Sequence, residues 1–447
     1  MVTPTALNAA DYGMVPNTGT DQTANFQSAI NAAQNQGLPL FIPGGTYEIT
    51  TVNITSNVEI YGSRRSAYIQ GIGQSPQINV APVPPATYIN IVRISDIVVD
   101  GGGQAFPGSP PDAGLIQVSD VSNFFLERCL LDNSGLHGLY LLNSAGQITG
   151  NSIGSSASFG IFSRDSRFLI QGNSVVASGN GGIYIFRSTR SADNSQIIGN
   201  LIGQTGANLG GTGQFGNAVV AYLADYVIVA NNQIYNSTFS AIRFSGASQG
   251  QATGNTCYGS GEVAIYMESP GGNFEGGIIS NNIIDQAGTG INVANYPGRR
   301  VIISNNEISN IVVQEVIPGY MSVGRAIGVE SDVLVVGNLI ENVEDWAIAM
   351  TPFANGGVKS ICQAENNMIR NCGGGIAFVQ SEADTALLIG GNTVYNYTTT
   401  SKFAAIVASS YNGTNGSVDK VPGATDLGNA TSSGFPNVKL LLNYSFT

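Results

Sequence analysis

The chain has 447 residues, 58 of them glycine, with 43% hydrophobic and only 10% charged side chains and a formal net charge of −12. So little charge beside so much apolar side chain excludes a charged disordered chain, and the acidic balance excludes a nucleic-acid partner, whose phosphates need a basic stripe. The same field disfavours a polyanionic ligand unless a local basic cleft overrides it.

In chain order, the first element is a helix in "TDQTANFQSAINAAQNQG", with Thr20 or Asp21 as its cap, Phe26, Ile30 and Ala33 on one face and Gly37 as the stop. It is placed as a lid over the start of the strand-rich region. The strands "LPLFIPGGTYEI", "VNITSNVEIYGS" and "INIVRISDIVVDG" come next. Then a repeat takes over. An asparagine before an apolar residue recurs at Asn151, Asn173, Asn200, Asn232, Asn255, Asn282, Asn306, Asn338, Asn367 and Asn392, at spacings of 22 to 32 residues. After a turn each copy carries a second element, such as "FGIFSR", "GGIYIF", "SAIRFS" or "VAIYME", in which apolar and variable residues alternate with the period of a half-buried strand.

A unit with two or three short strands and no helix cannot bury its apolar face alone, so the units must stack. The fold expected is all-β: a single-stranded right-handed parallel β-helix of about 10–13 coils with an internal asparagine ladder. An N-terminal cap segment with the helix occupies residues 1–50 and the coils 51–405. An irregular segment, 406–447, ends in a closing strand at "NVKLLLNYSF". Cys129 and Cys257 fall at inward strand positions and read as buried free thiols. No apolar run reaches the roughly 18 residues of a membrane span, and the opening "MVTPTALNAADYG" shows no export leader. No metal or cofactor is assigned, although Ca2+ at Asp100, Asp112 and Asp120 stays open.

The opening "DYGMVPNTGTDQTANFQSAINAAQNQGLPLFIPGGTYEI" resembles the capping segment of the pectate-lyase-like superfamily. Between residues 90 and 405, segments such as "GNGGIYIFRS", "GEVAIYME" and "RNCGGGIAF" resemble a bacterial group of repeat proteins exported by the twin-arginine route. The resemblance implies the β-helix fold and an extracellular or periplasmic location, though the leader of that group is not seen here. It implies no single reaction, because the superfamily includes polysaccharide lyases, hydrolases, uronan epimerases, phage tailspikes and adhesins.

Outward residues of equivalent strands should line up from coil to coil. One such column reads Tyr140, Phe162, Tyr184, Val220, Arg243, Tyr266, and its neighbour includes Arg164, Phe186, Tyr222, Glu268 and Glu330. Insertions at 188–195, 203–216, 270–277 and 312–324 would wall this face into a groove suited to a polysaccharide, with aromatic faces on sugar rings and Arg or Glu on hydroxyls and carboxylates. The bland alternative is an aromatic row packed under a loop.

Arg243, Tyr266, Glu268 and Glu330 are the catalytic candidates; Arg164, Asp165, Tyr184, Arg187 and Tyr222 are the substrate-binding ones. Inverting hydrolysis needs two carboxylates, and Glu268 and Glu330, two coils apart, should lie about 9–10 Å from each other. Elimination or epimerisation needs a cation and a base instead. That role would fall to Arg243 and Tyr266, provided neighbouring arginines lower the phenol's pKa. The lone His137 reads as a turn residue. A non-catalytic adhesive or phage-spike module is the competing reading, and the chain is expected to be a monomer or a homotrimer.

Overall fold

The computed structural model describes residues 6–73, 76–103, 112–210, 215–269, 276–294, 300–330, 332–351, 361–380, 386–398, 406–410, 425–426, 438–440 and 443–446. They fall into two compact units, 1–219 and 220–447. In the first unit the strands Ile89–Ser95, Val121–Glu127, Ala145–Thr149, Arg167–Gln171 and Gln196–Ile198 pair in parallel, each with its copy one coil on. Two further strand sets of the same coils do likewise, among them Gly114–Ser119, His137–Leu142, Phe159–Arg164 and Gly181–Ala192. The second unit repeats the plan: Ile242–Ser245, Ile265–Glu268, Ile291–Ala294 and Ile327–Val329 form one parallel column. Parallel pairing with one step per coil is the right-handed parallel β-helix expected from the repeat.

The core follows from the period of two. Ile242, Phe244, Ile265 and Met267 have no exposed surface, and each such side chain contributes about 1.5–3 kcal/mol of burial. Between them the outward positions are free to vary.

The asparagine ladder is complete within each unit. In the first, the Asn151 backbone N–H and amide Nδ2 both donate to Asn173 Oδ1, at 2.9 and 3.0 Å, and Asn173 donates in the same way to Asn200. In the second, the chain of donors runs from Asn232 through Asn255, Asn282, Asn306, Asn338, Asn367 and Asn392 to Asn443, an eleventh copy that the spacing does not reveal. Most of these amides also donate to a carbonyl of the preceding coil, as Asn306 Nδ2 does to Ile279 at 3.0 Å. The residue before each of the ten repeat asparagines is Gly or Asn, and all ten have positive φ, from 54 to 67°. Only these residues enter the left-handed region at little cost, which explains the dipeptide.

Two details differ from expectation. The helix is Thr23–Gln36 with Gln22 at the cap position, although the Asp21 carboxylate still accepts the Thr23 N–H at 2.8 Å, and Gly37 ends it at φ 63°. Its buried side is Phe26, Ala29, Ile30 and Ala33. Cys129 is not at an inward strand position but at the ladder turn, where its N–H donates to Asn151 Oδ1; all four cysteines are buried and free. Much of 406–447 lies outside the described residues, but Val438–Leu440 and Tyr444–Phe446 pair in parallel with Ala386–Gly390 and Thr393–Tyr397. No helix among the described residues is long and apolar enough to cross a membrane.

Candidate functional site

In the second unit the register stacks Arg243, Tyr266, Asn292 and Gly328 in one column and Ser245, Glu268 and Ala294 in the next. Arg243, only 6% exposed, holds Glu268 in a fork: Nε donates to Oε1 at 2.9 Å and Nη2 to Oε2 at 2.7 Å. Its remaining nitrogen, Nη1, lies 3.4 Å from Glu262 Oε2. The guanidinium sits 4.7 Å from the centre of the Tyr266 ring, a cation–π contact made possible because the two residues are one coil apart.

The insertion 312–324 folds as a hairpin, Glu315–Ile317 against Tyr320–Met321, and returns Tyr320 to the cluster, where its hydroxyl donates to Glu262 Oε1 at 2.7 Å. The hairpin's base also borders a concavity of about 650 Å3 beside the turn residues Gly259, Gln286 and Asn310. Of the other insertions, residues 211–214 and 270–275 lie outside the described residues. Glu330 is half-buried, its N–H bonded to Val293.

The lowering of Tyr266 required for a base does not occur. Burial pushes its phenol up, Glu268 adds to the rise, and Arg243 opposes without prevailing. Tyr320 is likewise pushed up by burial and by its bond to Glu262. Nor is Arg243 a cation waiting for a uronate, since three of its nitrogens already face carboxylates.

Glu262 and Tyr320 were not among the expected site residues. Glu262 stands in the turn before its strand, where the alternation carries no signal, and Tyr320 is 58 residues away on an insertion. Tyr222 is half-buried on the strand Asn217–Asp225.

In the first unit the column Tyr140, Phe162, Tyr184 is in register but covered. Tyr184 is 3% exposed, stacked on Phe162 at 5.1 Å and met at a tilt by Phe159 at 4.9 Å, so its face is closed to a sugar ring. Burial also raises the Tyr140 hydroxyl, to about 12. His137 belongs to the same aromatic cluster, against Phe162 at 5.0 Å.

Arg164 pairs with Asp112 at 2.8 Å, while Asp165 accepts from both the N–H and the hydroxyl of Ser188. Arg187 is a clamp rather than a groove floor: it bonds the buried Asp193 at 2.7 Å and the Ser166 carbonyl at 3.0 Å, fixing the 188–195 insertion. Desolvation raises the pKa of Asp193, against the pull of Ser195 and Arg187. The three aspartates left open for Ca2+ have separate partners: Asp100 accepts from Tyr68 and Asn133, Asp112 from Arg164, and Asp120 from Asn143. No metal-holding group of three or more His, Cys, Asp or Glu side chains occurs among the described residues.

Residues 6–81 match the rhamnogalacturonase A/epimerase, pectate lyase-like family, and residues 87–202 and 271–417, more than half of the chain, match the right-handed β-helix region family. The chain belongs to the right-handed β-helix proteins of the pectate-lyase-like superfamily. Among solved structures it is similar to the catalytic unit of a thermostable α-1,3-glucanase from Streptomyces thermodiastaticus, with 15% identity over 99% of this chain and 69% of that one and a TM-score of 0.50. It is similar also to the A-module of a mannuronan C-5 epimerase from Azotobacter vinelandii, with 15% identity, 74% and 98% coverage and a TM-score of 0.50. A third is the N-terminal fragment of gene product 12 of bacteriophage Phi29, with 14% identity, 90% and 70% coverage and a TM-score of 0.51. Identities this low establish the fold alone. No curated protein sequence matches the chain.

Proposed function

We propose that this protein binds an extended polysaccharide, outside the cell or in the periplasm, on the second unit's face around Glu262, Glu268, Tyr266, Tyr320 and Glu330, and that inverting hydrolysis is the chemistry this face supports. One observation carries the reading: two glutamates converge on a single arginine between two tyrosines, with a folded hairpin standing over them. Carboxylates and phenols are the groups that bond sugar hydroxyls, and aromatic faces accept sugar rings. For hydrolysis, Glu268 beside Arg243 takes the base role on water and Glu330 the acid role on the leaving oxygen, their two-coil separation of about 9–10 Å sitting at the upper end of the inverting range. Elimination through Arg243 and Tyr266 is disfavoured, because the arginine is neutralised and the phenol is harder to ionise than in water.

The test is a glycan array followed by a reducing-sugar assay on whatever binds. Glu268→Gln and Glu330→Gln should each slow product formation by about 100-fold or more, and no unsaturated, ultraviolet-absorbing product should form. Binding without any product would reduce the reading to a lectin-like one; no glycan binding at all would refute it.

A non-catalytic adhesive or spike module remains the second reading. It is favoured by the buried aromatic column of the first unit, which leaves that face no open ring at Tyr140 or Tyr184.

A further inference from the structure

The first unit carries a depression on a different sheet from the column just described. There the outward positions of successive strands pair Ala145 with Arg167, and Phe125 with Gln147, Leu169 and Gln196 in turn. Ala145 is the small member of its row. Beside it, Gly146 has φ 150°, and a Cβ there would fall 1.9 Å from the Phe124 carbonyl oxygen, so glycine alone lets this strand lie so close to the coil before it. Two concavities of about 330 Å3 each border Ala145 on the outward side. They share Ser122, Ala145, Arg167 and Asn194 and so form one groove. Its wall at Asn194 is held in place by the Arg187–Asp193 clamp next to it.

Arg167 sets this groove apart. Arg93, Arg128, Arg164 and Arg187 of the same unit each pair with a carboxylate, at 2.6 to 3.2 Å. Arg167 is exposed and, among the described residues, its guanidinium has neither ion pair nor hydrogen bond. The half of the groove floored by Phe125 and Leu169 is lined by no carboxylate, and its other polar side chains are neutral: the Ser122 hydroxyl and amides such as Gln147 and Gln196. The other half of the groove is lined by Asp165, Asp193 and Arg187, with Asp193 held by Arg187 and Asp165 by Ser188. In a chain of net charge −12 the unpartnered cation over the apolar floor is thus a local exception to the overall field rather than part of a basic stripe.

We propose that this groove binds a carboxylated sugar residue, its carboxylate forked by Arg167, its apolar face on Phe125 and Leu169, and its hydroxyls on the glutamine amides. A guanidinium matches a carboxylate in two parallel hydrogen bonds, and the groove lies at the small end of ligand pockets, room for one or two rings. The inference does not rest on the function proposed for the second unit.

Titration calorimetry on the whole protein tests it, with oligogalacturonate, a neutral oligoglucan and a sulfated galactan oligosaccharide as probes. Oligogalacturonate should bind, more weakly as salt rises, and Arg167→Gln should weaken it by about tenfold or more. Ala145→Leu, which fills the depression from the solvent side, should weaken it similarly, while Arg64→Gln, which removes an exposed arginine outside the groove lining, leaves it unchanged. Thermal melts of both groove variants check folding, and Arg167→Gln alone suffices if the filled variant is unstable. Equal binding to wild type and Arg167→Gln, tighter binding of the sulfated probe, or no binding of oligogalacturonate would each overturn the proposal.

Discussion

At Arg243 three guanidinium nitrogens already face two carboxylates, and that arrangement governs what the neighbouring groups can do. A desolvated arginine needs such partners; once it has them it no longer neutralises a substrate. Contrast Asp96 in the first unit. There the hydrogen bond from Arg128 holds the carboxyl below the usual carboxylate range, against the rise from burial. Between the folded and unfolded pKa values the unfolded state binds more protons, so this pair's stability rises with pH through that window and is lost on acidification. Arg128 is 58% exposed, and solvent screening keeps the pair to about 0.5–1 kcal/mol. Asp96→Asn should therefore cost about that much at pH 7, and the gap from wild type should close as pH falls below the folded Asp96 pKa. Urea melts across the acid range would show it.

Among elements, the ladder turn is the one most exposed to single changes. Asn306 donates twice through Nδ2, to Ile279 and to Asn338, and its Oδ1 accepts from both nitrogens of Asn282. Asn306→Ala would strand buried partners on both adjacent coils, a loss of about 2–4 kcal/mol. Asn306→Asp keeps the acceptor but not the donors, and should also destabilise. Chemical denaturation followed by circular dichroism distinguishes these from an exposed-site control.

How much of this was legible depended on where a residue sits in the repeat. Arg243, Tyr266 and Glu268 could be read as outward because they alternate with buried Ile242, Phe244, Ile265 and Met267. Glu262 and Tyr320 could not, since a turn and an inserted hairpin follow no period. Tyr184 shows the converse: the alternation places it outward correctly, yet Phe159, from the edge of the preceding coil, helps to close over it.

Over the molecule as a whole, the two functional readings part on assembly. A spike module would form a trimer that survives SDS, whereas a monomeric carbohydrate-binding protein would not. We expect a monomer by size-exclusion chromatography with light scattering, and an SDS-resistant trimer would favour the spike reading instead. The fold does not choose between them, since an epimerase module and a phage protein share its coils.

The amino-acid sequence by itself determined the stacked coils, the asparagine ladder and the Gly or Asn before each rung. Those interactions join equivalent positions of successive repeats, so periodicity alone encodes them. Only the tertiary structure decided which outward side chains stay open. It covered Tyr184, neutralised Arg243 through Glu262 and Glu268, and left Arg167 unpaired beside a strand drawn in at Gly146. These outcomes turn on irregular insertions, on turn residues and on missing side-chain volume between neighbouring coils, none of which leaves a period to read.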